Sequence, residues 1–201
     1  MTRFLFLVRH GEAPGDGELS EAGREQARLT GERLRDVPFG GICHGPLPRA
    51  AQTAELIAAS LPGVPVSVSD LAGDYLPSDP DPDGLPPSYA RFVARFSAAE
   101  RTEGPQRAAE ALERFARPSS PDGDEYELLV THNFLVGWLV SQAMAGPPWR
   151  WLGVNQMNCA ISVIAYQAGL PASLLTFNDA GHLSPELRWT GFPSTLRPAS
   201  P

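Results

Sequence analysis

Short runs rich in leucine and β-branched residues alternate along this chain with longer stretches whose apolar residues recur at helical spacing. This alternation is typical of an α/β fold, in which helices cover a central sheet. It predicts six strands, at residues 3–8, 40–43, 64–68, 127–131, 160–166 and 172–177. With 201 residues, 42% of them hydrophobic, the chain is expected to form one compact domain over residues 1–201.

Helical periodicity fills most of the intervals between the predicted strands. One helix is expected from Ser20, a candidate N-cap, to about Asp36, and a second is expected to follow Pro48. A mostly apolar helix over residues 134–144 is expected to be buried.

The stretch from residue 69 to residue 87 breaks the alternation, because its prolines exclude regular structure and its five aspartates make it acidic. Two helices are predicted after it, the second beginning near Pro105. Residues 70–120 are therefore predicted to form a helical cap inserted between two strands. The Pro- and Ser-rich tail, residues 192–201, is expected to be loose.

Charge and composition exclude several classes of function. All sixteen basic side chains are arginine, so a lysine Schiff base and a Walker A loop are ruled out. The net charge of −7 and the lack of a basic stripe argue against a nucleic-acid partner. The two cysteines make no disulfide framework, and no apolar run is long enough for a signal peptide or a membrane span. We therefore expect a soluble, cytoplasmic protein that does not contact membranes.

Polar residues follow several of the predicted strands. The first strand runs directly into Arg9, His10 and Gly11. In open α/β sheets ligands bind beyond the carboxyl ends of the strands, so Arg9 and His10 are expected where a substrate would lie. Three later segments also follow strands: residues 45–50 (GPLPRA), 131–133 (THN) and 178–183 (NDAGHL).

Together these segments resemble the histidine phosphatase superfamily, also called the phosphoglycerate mutase-like family. Its members share an LVRHGE opening, an S-P-L-x-R-A-x-x-T-A segment and a second histidine at the end of a later strand. The corresponding segments here are residues 7–12, 45–54 and 130–132. The resemblance extends over residues 3–183 and implies a three-layer αβα sandwich with a mostly parallel central sheet and a helical cap insertion.

The resemblance implies a role for each of the motif residues. His10 would be the nucleophile, forming a phosphohistidine that water then hydrolyses. Arg9 and Arg49 would hold the phosphate oxygens through charge-assisted hydrogen bonds, and His132 would add a donor. The backbone N–H of Asn133, at a helix start, is a further candidate donor. Positioning and charge could carry this chemistry, so no metal and no cofactor are expected.

The acid that protonates the leaving group is harder to assign. Members of the family that have one place a carboxylate shortly after the third strand, and Asp74 is the matching candidate. Asp70 and Asp79 are alternatives, as is the interpretation that Asp74 is a solvated loop residue. The chain also departs from the family at Gly45 and Asn133, where many members have serine and glycine, which would reshape the rim of the pocket.

The predicted function is metal-independent hydrolysis of a phosphorylated small molecule, with a phosphoprotein as a possible substrate and the oligomeric state open. A mutase is one alternative, but phosphoglycerate mutases of this family extend the opening as RHGE-S-x-W-N and carry an E-R-H-Y-G stretch. This chain has APGD at residues 13–16 and no such stretch. A non-catalytic domain that binds a phosphorylated ligand is the other alternative, because the acid is not assigned.

The sequence contains two weaker patterns. Cys43 and Arg49 have the C-x5-R spacing of cysteine-dependent phosphatases, but Pro46 and Pro48 remove two N–H groups from the phosphate cradle. The segment with Asn178, Asp179 and His182 resembles an element that braces a loop in several phosphatase branches, and a metal site there lacks enough ligands.

Overall fold

The structure is a computed structural model that describes residues 1–15, 17–120, 123–192 and 194–197. The strands in these residues are β1 (Thr2–Arg9), β2 (Gly41–His44), β3 (Val66–Val68), β4 (Glu125–Thr131), β5 (Ile161–Gln167) and β6 (Ser173–Asp179). They form one sheet in the order β3-β2-β4-β1-β5-β6. The first four strands of this order are parallel, whereas β5 is antiparallel to both β1 and β6. The predicted strands are therefore present, with boundaries shifted by one or two residues.

The helices lie on both faces of the sheet. They are α1 (Glu21–Leu34), α2 (Pro48–Ala58), α3 (Pro87–Val93), α4 (Ala98–Phe115) and α5 (Asn133–Ala143). Residues of α1 and α2 pack with Val8 and Val130 in one apolar cluster, and α4 and α5 pack with Leu5 and Leu7 in another. Successive strand residues point to opposite faces, so β1 contributes to both clusters. The predicted three-layer αβα fold is confirmed.

The segment between β3 and β4 contains short 3-10 turns followed by α3 and α4. The prediction that the second of these helices begins near Pro105 is wrong, because α4 begins at Ala98 and Pro105 lies inside it. Ser97 and Glu100 form a capping box, in which each side chain accepts a hydrogen bond from the other residue's backbone N–H. This reciprocal cap satisfies two N–H groups of the first turn and sets the helix start seven residues before Pro105.

The tail predicted to be loose, residues 192–201, lies mostly outside the described residues; within it, Ser194–Leu196 form a 3-10 turn. No helix in the described part of the chain has the length and apolar character needed to cross a lipid bilayer.

The register of the sheet brings three motif segments to one edge. Arg9 at the end of β1 pairs with Thr131 at the end of β4, and His44 at the end of β2 pairs with Val130. The next residue in each chain segment therefore leaves the sheet at the same edge. These residues are His10, Gly45 and His132.

Candidate active site

His10 is held in one tautomer by the groups around it. Its Nδ1 lies 2.7 Å from the carbonyl oxygen of Gly11, which can only accept a hydrogen bond. Its Nε2 lies 3.2 Å from Nε of Arg49, which can only donate. The proton of the neutral ring is thus on Nδ1, and the lone pair of Nε2 accepts the hydrogen bond from Arg49.

Burial keeps the His10 ring neutral. The side chain is 8% exposed. Burial lowers its pKa to about 3, with the positive charges of Arg9 and Arg49 acting in the same direction and the Gly11 carbonyl acting against them. A nucleophilic nitrogen is therefore available at neutral pH without prior deprotonation.

Arg49 is the second residue of α2, and its side chain is 4% exposed. Besides its contact with His10, it donates from Nη2 to Oδ2 of Asp74 at 2.9 Å. The hydroxyl of Thr53, one turn later, donates to the Arg49 carbonyl and accepts from the backbone N–H of Gly11. Thr53 thereby ties α2 to the segment that carries His10.

Arg9 is anchored by two backbone carbonyl groups. Its Nη1 donates to the carbonyl oxygens of Gln156 at 2.8 Å and Gly191 at 2.9 Å. Its Nε is buried and has no hydrogen-bond partner among the described residues. Burial lowers the pKa of Arg9 to about 10, which leaves the guanidinium charged at neutral pH. Part of this cation is therefore free to bind an anion.

His132, just before α5, is 1% exposed, and its ring centroid lies 5.0 Å from that of His10. Burial lowers its pKa to about 2, with His10, Arg49 and Arg9 adding to the effect. Neither ring nitrogen has a hydrogen-bond partner within the described residues, although Nδ1 lies 3.6 Å from Oδ2 of Asp74. Buried polar atoms are rarely left unpaired, so these nitrogens point to a ligand that would complete them.

Asp74 joins this cluster and the other two candidate aspartates do not. Its carboxylate contacts Arg49 and faces His132, with 32% of the side chain exposed. Asp79 instead accepts from Nε of Arg101 on α4 at 2.8 Å. Asp70 is exposed at the start of a 3-10 turn.

Asn133 uses its side chain to hold a neighbouring loop. Its amide donates to Oδ1 of Asn155 at 3.0 Å and accepts from the backbone N–H of Gln156 at 2.8 Å. As the first residue of α5, it has a backbone N–H that belongs to the turn without intrahelical acceptors. This N–H is a candidate donor to an anion, whereas the amide is engaged in holding the loop.

Three positions that the sequence did not single out support the site. Asn158, which is 2% exposed, donates from its amide to the carbonyl oxygen of His10 at 2.7 Å. The Gln156 carbonyl holds Arg9, and Gly191, at φ +81°, leaves no room for a Cβ beside the Arg9 guanidinium. The polar residues at 155–158 were a signal for these supports, but the residues that they contact, Arg9 and His10, are far away in the sequence.

Cys43, the alternative nucleophile, lies in surroundings that disfavour its reactive thiolate form. Cys43 lies in the apolar cluster shared with Leu7, and burial raises the pKa of its thiol. A cysteine nucleophile needs the opposite shift, because only the thiolate reacts. His182 lies 3.1 Å from the carbonyl oxygen of Cys159 and 3.0 Å from the hydroxyl of Thr30, so it contacts the framework under the site.

The sequence was compared with known families and proteins. The model of the histidine phosphatase superfamily, branch 1, matches residues 5–72. Serine/threonine-protein phosphatase Pgam5, mitochondrial, from Caenorhabditis briggsae is 34% identical over 195 residues, which cover 92% of this chain and 65% of that protein. The PGAM5 protein of the same name from Xenopus tropicalis is 32% identical, with 92% of this chain and 67% of that protein covered.

The chain belongs to the histidine phosphatase superfamily. It spans 65% and 67% of the length of these two relatives. A solved structure, YhfR of Bacillus stearothermophilus, superposes with a TM-score of 0.68 at 21% identity, over 90% of this chain and 98% of that one. That similarity supports the superfamily fold. The cytoplasmic location expected from the sequence is contradicted, because both relatives are named as mitochondrial proteins.

Proposed function

We propose that this chain is a phosphomonoesterase that transfers a phosphoryl group first to Nε2 of His10 and then to water. The observation that carries this proposal is the neutral His10 ring, whose unprotonated Nε2 faces Arg49 in a buried pocket. A phosphate monoester carries about −1.5 to −2 charges at pH 7, which two guanidinium groups would balance. The phosphatase names of the two relatives agree with this chemistry.

In the first step, Nε of Arg49 turns from His10 to a phosphoryl oxygen, and the lone pair of His10 Nε2 attacks phosphorus. An N–P bond forms while the P–O bond to the leaving group breaks, and the carboxyl group of Asp74 supplies the proton that the leaving oxygen takes up. Arg9, Arg49 and the single N–H of neutral His132 hold the other phosphoryl oxygens. Donors placed in advance around these oxygens stabilise the charge of the transition state.

In the second step, water attacks the phosphorus of the phosphohistidine. The N–P bond breaks, its electron pair returns to Nε2, and Asp74 accepts the proton of the attacking water. Inorganic phosphate then leaves. The same carboxyl group thus acts as an acid and afterwards as a base, as microscopic reversibility favours.

Asp74 must exchange partners during this cycle. Before substrate binds, its carboxylate is paired with Nη2 of Arg49 at 2.9 Å. A bound phosphoryl group would compete for the same guanidinium, since it offers several charged oxygens. This competition would loosen the ion pair and release Asp74 toward the leaving group. The released carboxylate would take up the proton that it then donates from the monoanionic form of the phosphate ester, which is present at pH 7.

For the substrate we propose a phosphoserine or phosphothreonine side chain of a protein. The names of the relatives, both serine/threonine-protein phosphatases, favour this class over the phosphorylated small molecule expected from the sequence. We further propose that residues 1–201 act as one domain, in which the cap at residues 70–120 selects the substrate.

The nucleophile can be tested by trapping the intermediate. Acid-sensitive, base-stable label from a ³²P-phosphoserine peptide should appear on His10 after a rapid base quench, because a phosphohistidine resists alkali. His10→Ala should lower kcat/KM by about 1,000-fold or more. His44→Ala, a histidine at the end of β2, serves as the matched control and should keep its activity. Label on Cys43, or an active His10→Ala variant, would contradict the mechanism.

A further inference from the structure

An apolar groove lies beside the candidate active site. It has a volume of about 490 Å³ and runs between α3, the start of α5 and the loop at residues 151–155. The side chains that matter for its chemistry are Tyr89, Phe92, Asn133, Phe134, Trp151 and Leu152. Its volume lies within the range of about 300–1,000 Å³ that is typical of ligand sites.

Two residues that line the groove are each adjacent in sequence to a residue of the phosphate pocket. Asn133 lines the groove and directly follows His132, whose ring nitrogens face the pocket. Asn155 also lines it, and the next residue, Gln156, holds Arg9 through its carbonyl oxygen. The hydrogen bond between Asn133 and Asn155 joins these two residues. A residue next to a phosphorylated residue bound in the pocket would therefore lie near the groove.

The walls of the groove differ in charge from the pocket. None of the described residues that line it is charged, whereas the pocket contains Arg9, Arg49 and Asp74. Aromatic rings form one wall, since Phe134 packs edge-on against Phe92 at 5.8 Å and Trp151 at 5.2 Å between centroids. A charged group would lose its hydration there without gaining a partner, whereas an apolar group would be stabilised by burial.

We propose that this groove binds an aromatic or large aliphatic side chain adjacent to the phosphorylated residue of a peptide substrate. The inference rests on the proposed function, since the peptide is the substrate class chosen there. It makes the chain selective for phosphoserine or phosphothreonine with apolar neighbours and unfavourable to acidic ones. Phe92, which is partly exposed, is the specificity-determining contact of this site, and Trp151, which is 2% exposed, lies behind the aromatic wall.

The test compares two phosphoserine peptides that differ only in the residues on either side of the phosphoserine, Phe in one and Ala in the other. We expect kcat/KM to be about tenfold higher for the Phe peptide, which is the scale of one apolar contact in a pocket. Dissociation constants are measured in parallel with His10→Ala, so the groove is tested even without turnover. A preference in binding without any hydrolysis would support the groove and overturn the proposed function.

Two variants and a matched control test whether the preference for the Phe peptide arises in the groove. Phe92→Ala should reduce it to about twofold, whereas Phe96→Ala, which truncates a ring in the same aromatic cluster but outside the groove wall, should retain it. Ser88→Asp places a charge in the groove at the second position of α3, where a carboxylate favours the helix, and should also abolish the preference.

Three results would overturn the proposal. The first is equal affinity for the two peptides, and the second is an unchanged preference in Ser88→Asp. The third is a preference confined to small aryl phosphates, which would assign the groove to a small-molecule leaving group.

Discussion

The two buried histidines at the centre of the site are both neutral, and their neutrality has one cause. Each ring is withdrawn from water next to the same pair of guanidinium groups, so a third positive charge would be unfavourable. For His10 this preserves the lone pair of Nε2. For His132 it leaves one N–H to donate to an oxygen without adding charge.

At the scale of single residues, Asp74→Asn tests the leaving-group acid. An amide cannot donate a carboxyl proton, so alkyl phosphates such as phosphoserine, whose alcohol is a poor leaving group, should react about 100-fold more slowly. An activated aryl phosphate such as p-nitrophenyl phosphate needs little protonation and should lose less than about tenfold. Steady-state kcat values for the two substrates give the comparison.

Asp79→Asn is the control for this prediction. It makes the same change in the same segment, but its carboxylate is paired with Arg101 away from the pocket. Both rates should stay close to those of the unmodified protein. Equal losses on the two substrates in Asp74→Asn would remove Asp74 from the acid role and leave it as a partner of Arg49.

The sequence predicted the charged and histidine residues of the site, but not the residues that hold them in position. Arg9, His10, Arg49 and His132 could be proposed because each stands in a motif next to a strand or a helix start. Asn158 could not, because its amide contacts the His10 carbonyl across 148 positions of sequence. Such a contact leaves no local pattern, since it exists only after the sheet has formed.

At the scale of elements, the junction between β2 and α2 depends on the missing side chain of Gly45. A Cβ there would collide with the carbonyl oxygen of Ala72 and would lie 3.1 Å from Nε2 of His132. That Ala72 carbonyl also accepts from the hydroxyl of Thr131 at 2.7 Å. The close approach brings the segment with Asp74 against the end of β4.

Gly45→Ser, which restores the residue of many family members, should therefore impair this chain. The new side chain would push residue 72 outward and displace Asp74, and a displacement of about 1 Å can lower a rate by about 100-fold. Gly41→Ser at the other end of β2 meets its nearest atom at 3.8 Å and is the control. Measured kcat/KM should fall in Gly45→Ser and not in Gly41→Ser. Unchanged kinetics in Gly45→Ser would show that the segment with Ala72 can move to admit a side chain at position 45.

The start of α4 shows why the boundaries of a helix are difficult to predict from sequence. Proline is common at the first position of a helix, so Pro105 was a reasonable start signal. The capping box at Ser97 and Glu100 was also present in the sequence, and it prevails. A proline inside a helix is tolerated here where tertiary packing supports the surrounding turns: Gly104 packs against the backbone of Leu76, and Ala108 is fully buried.

For the molecule as a whole, the neutral histidines predict acid-sensitive stability. The pKa values of His10 and His132 are about 3 and about 2 in the folded protein, compared with 6.5 for an unperturbed histidine. Below pH 6.5 the unfolded chain takes up protons that the folded protein does not, so the free energy of unfolding falls as the pH falls. Each histidine should contribute about 1 to 2 kcal/mol to this loss between pH 6.5 and pH 5.

Urea unfolding at pH 6.5 and pH 5 measures this effect. His132→Asn, which has no titrating ring, should lose about 1 to 2 kcal/mol less stability over this interval than the unmodified protein. The same pH dependence in both proteins would mean that His132 is protonated in the folded state.

The whole molecule also shows how far sequence determines function. Strands and helices follow from apolar periodicity, and the meeting of His10, Arg49 and His132 follows because parallel strands end at one edge of a sheet. The family resemblance favoured Asp74 but left Asp70 and Asp79 as alternatives, and the tertiary structure decided that Asp74 enters the pocket. Only the tertiary structure brings aromatic residues from α3, α5 and the loop at 151–155 together in one groove. The physical reason is that a proline-rich segment has no periodicity to predict its path, so its position is set by the surfaces it packs against.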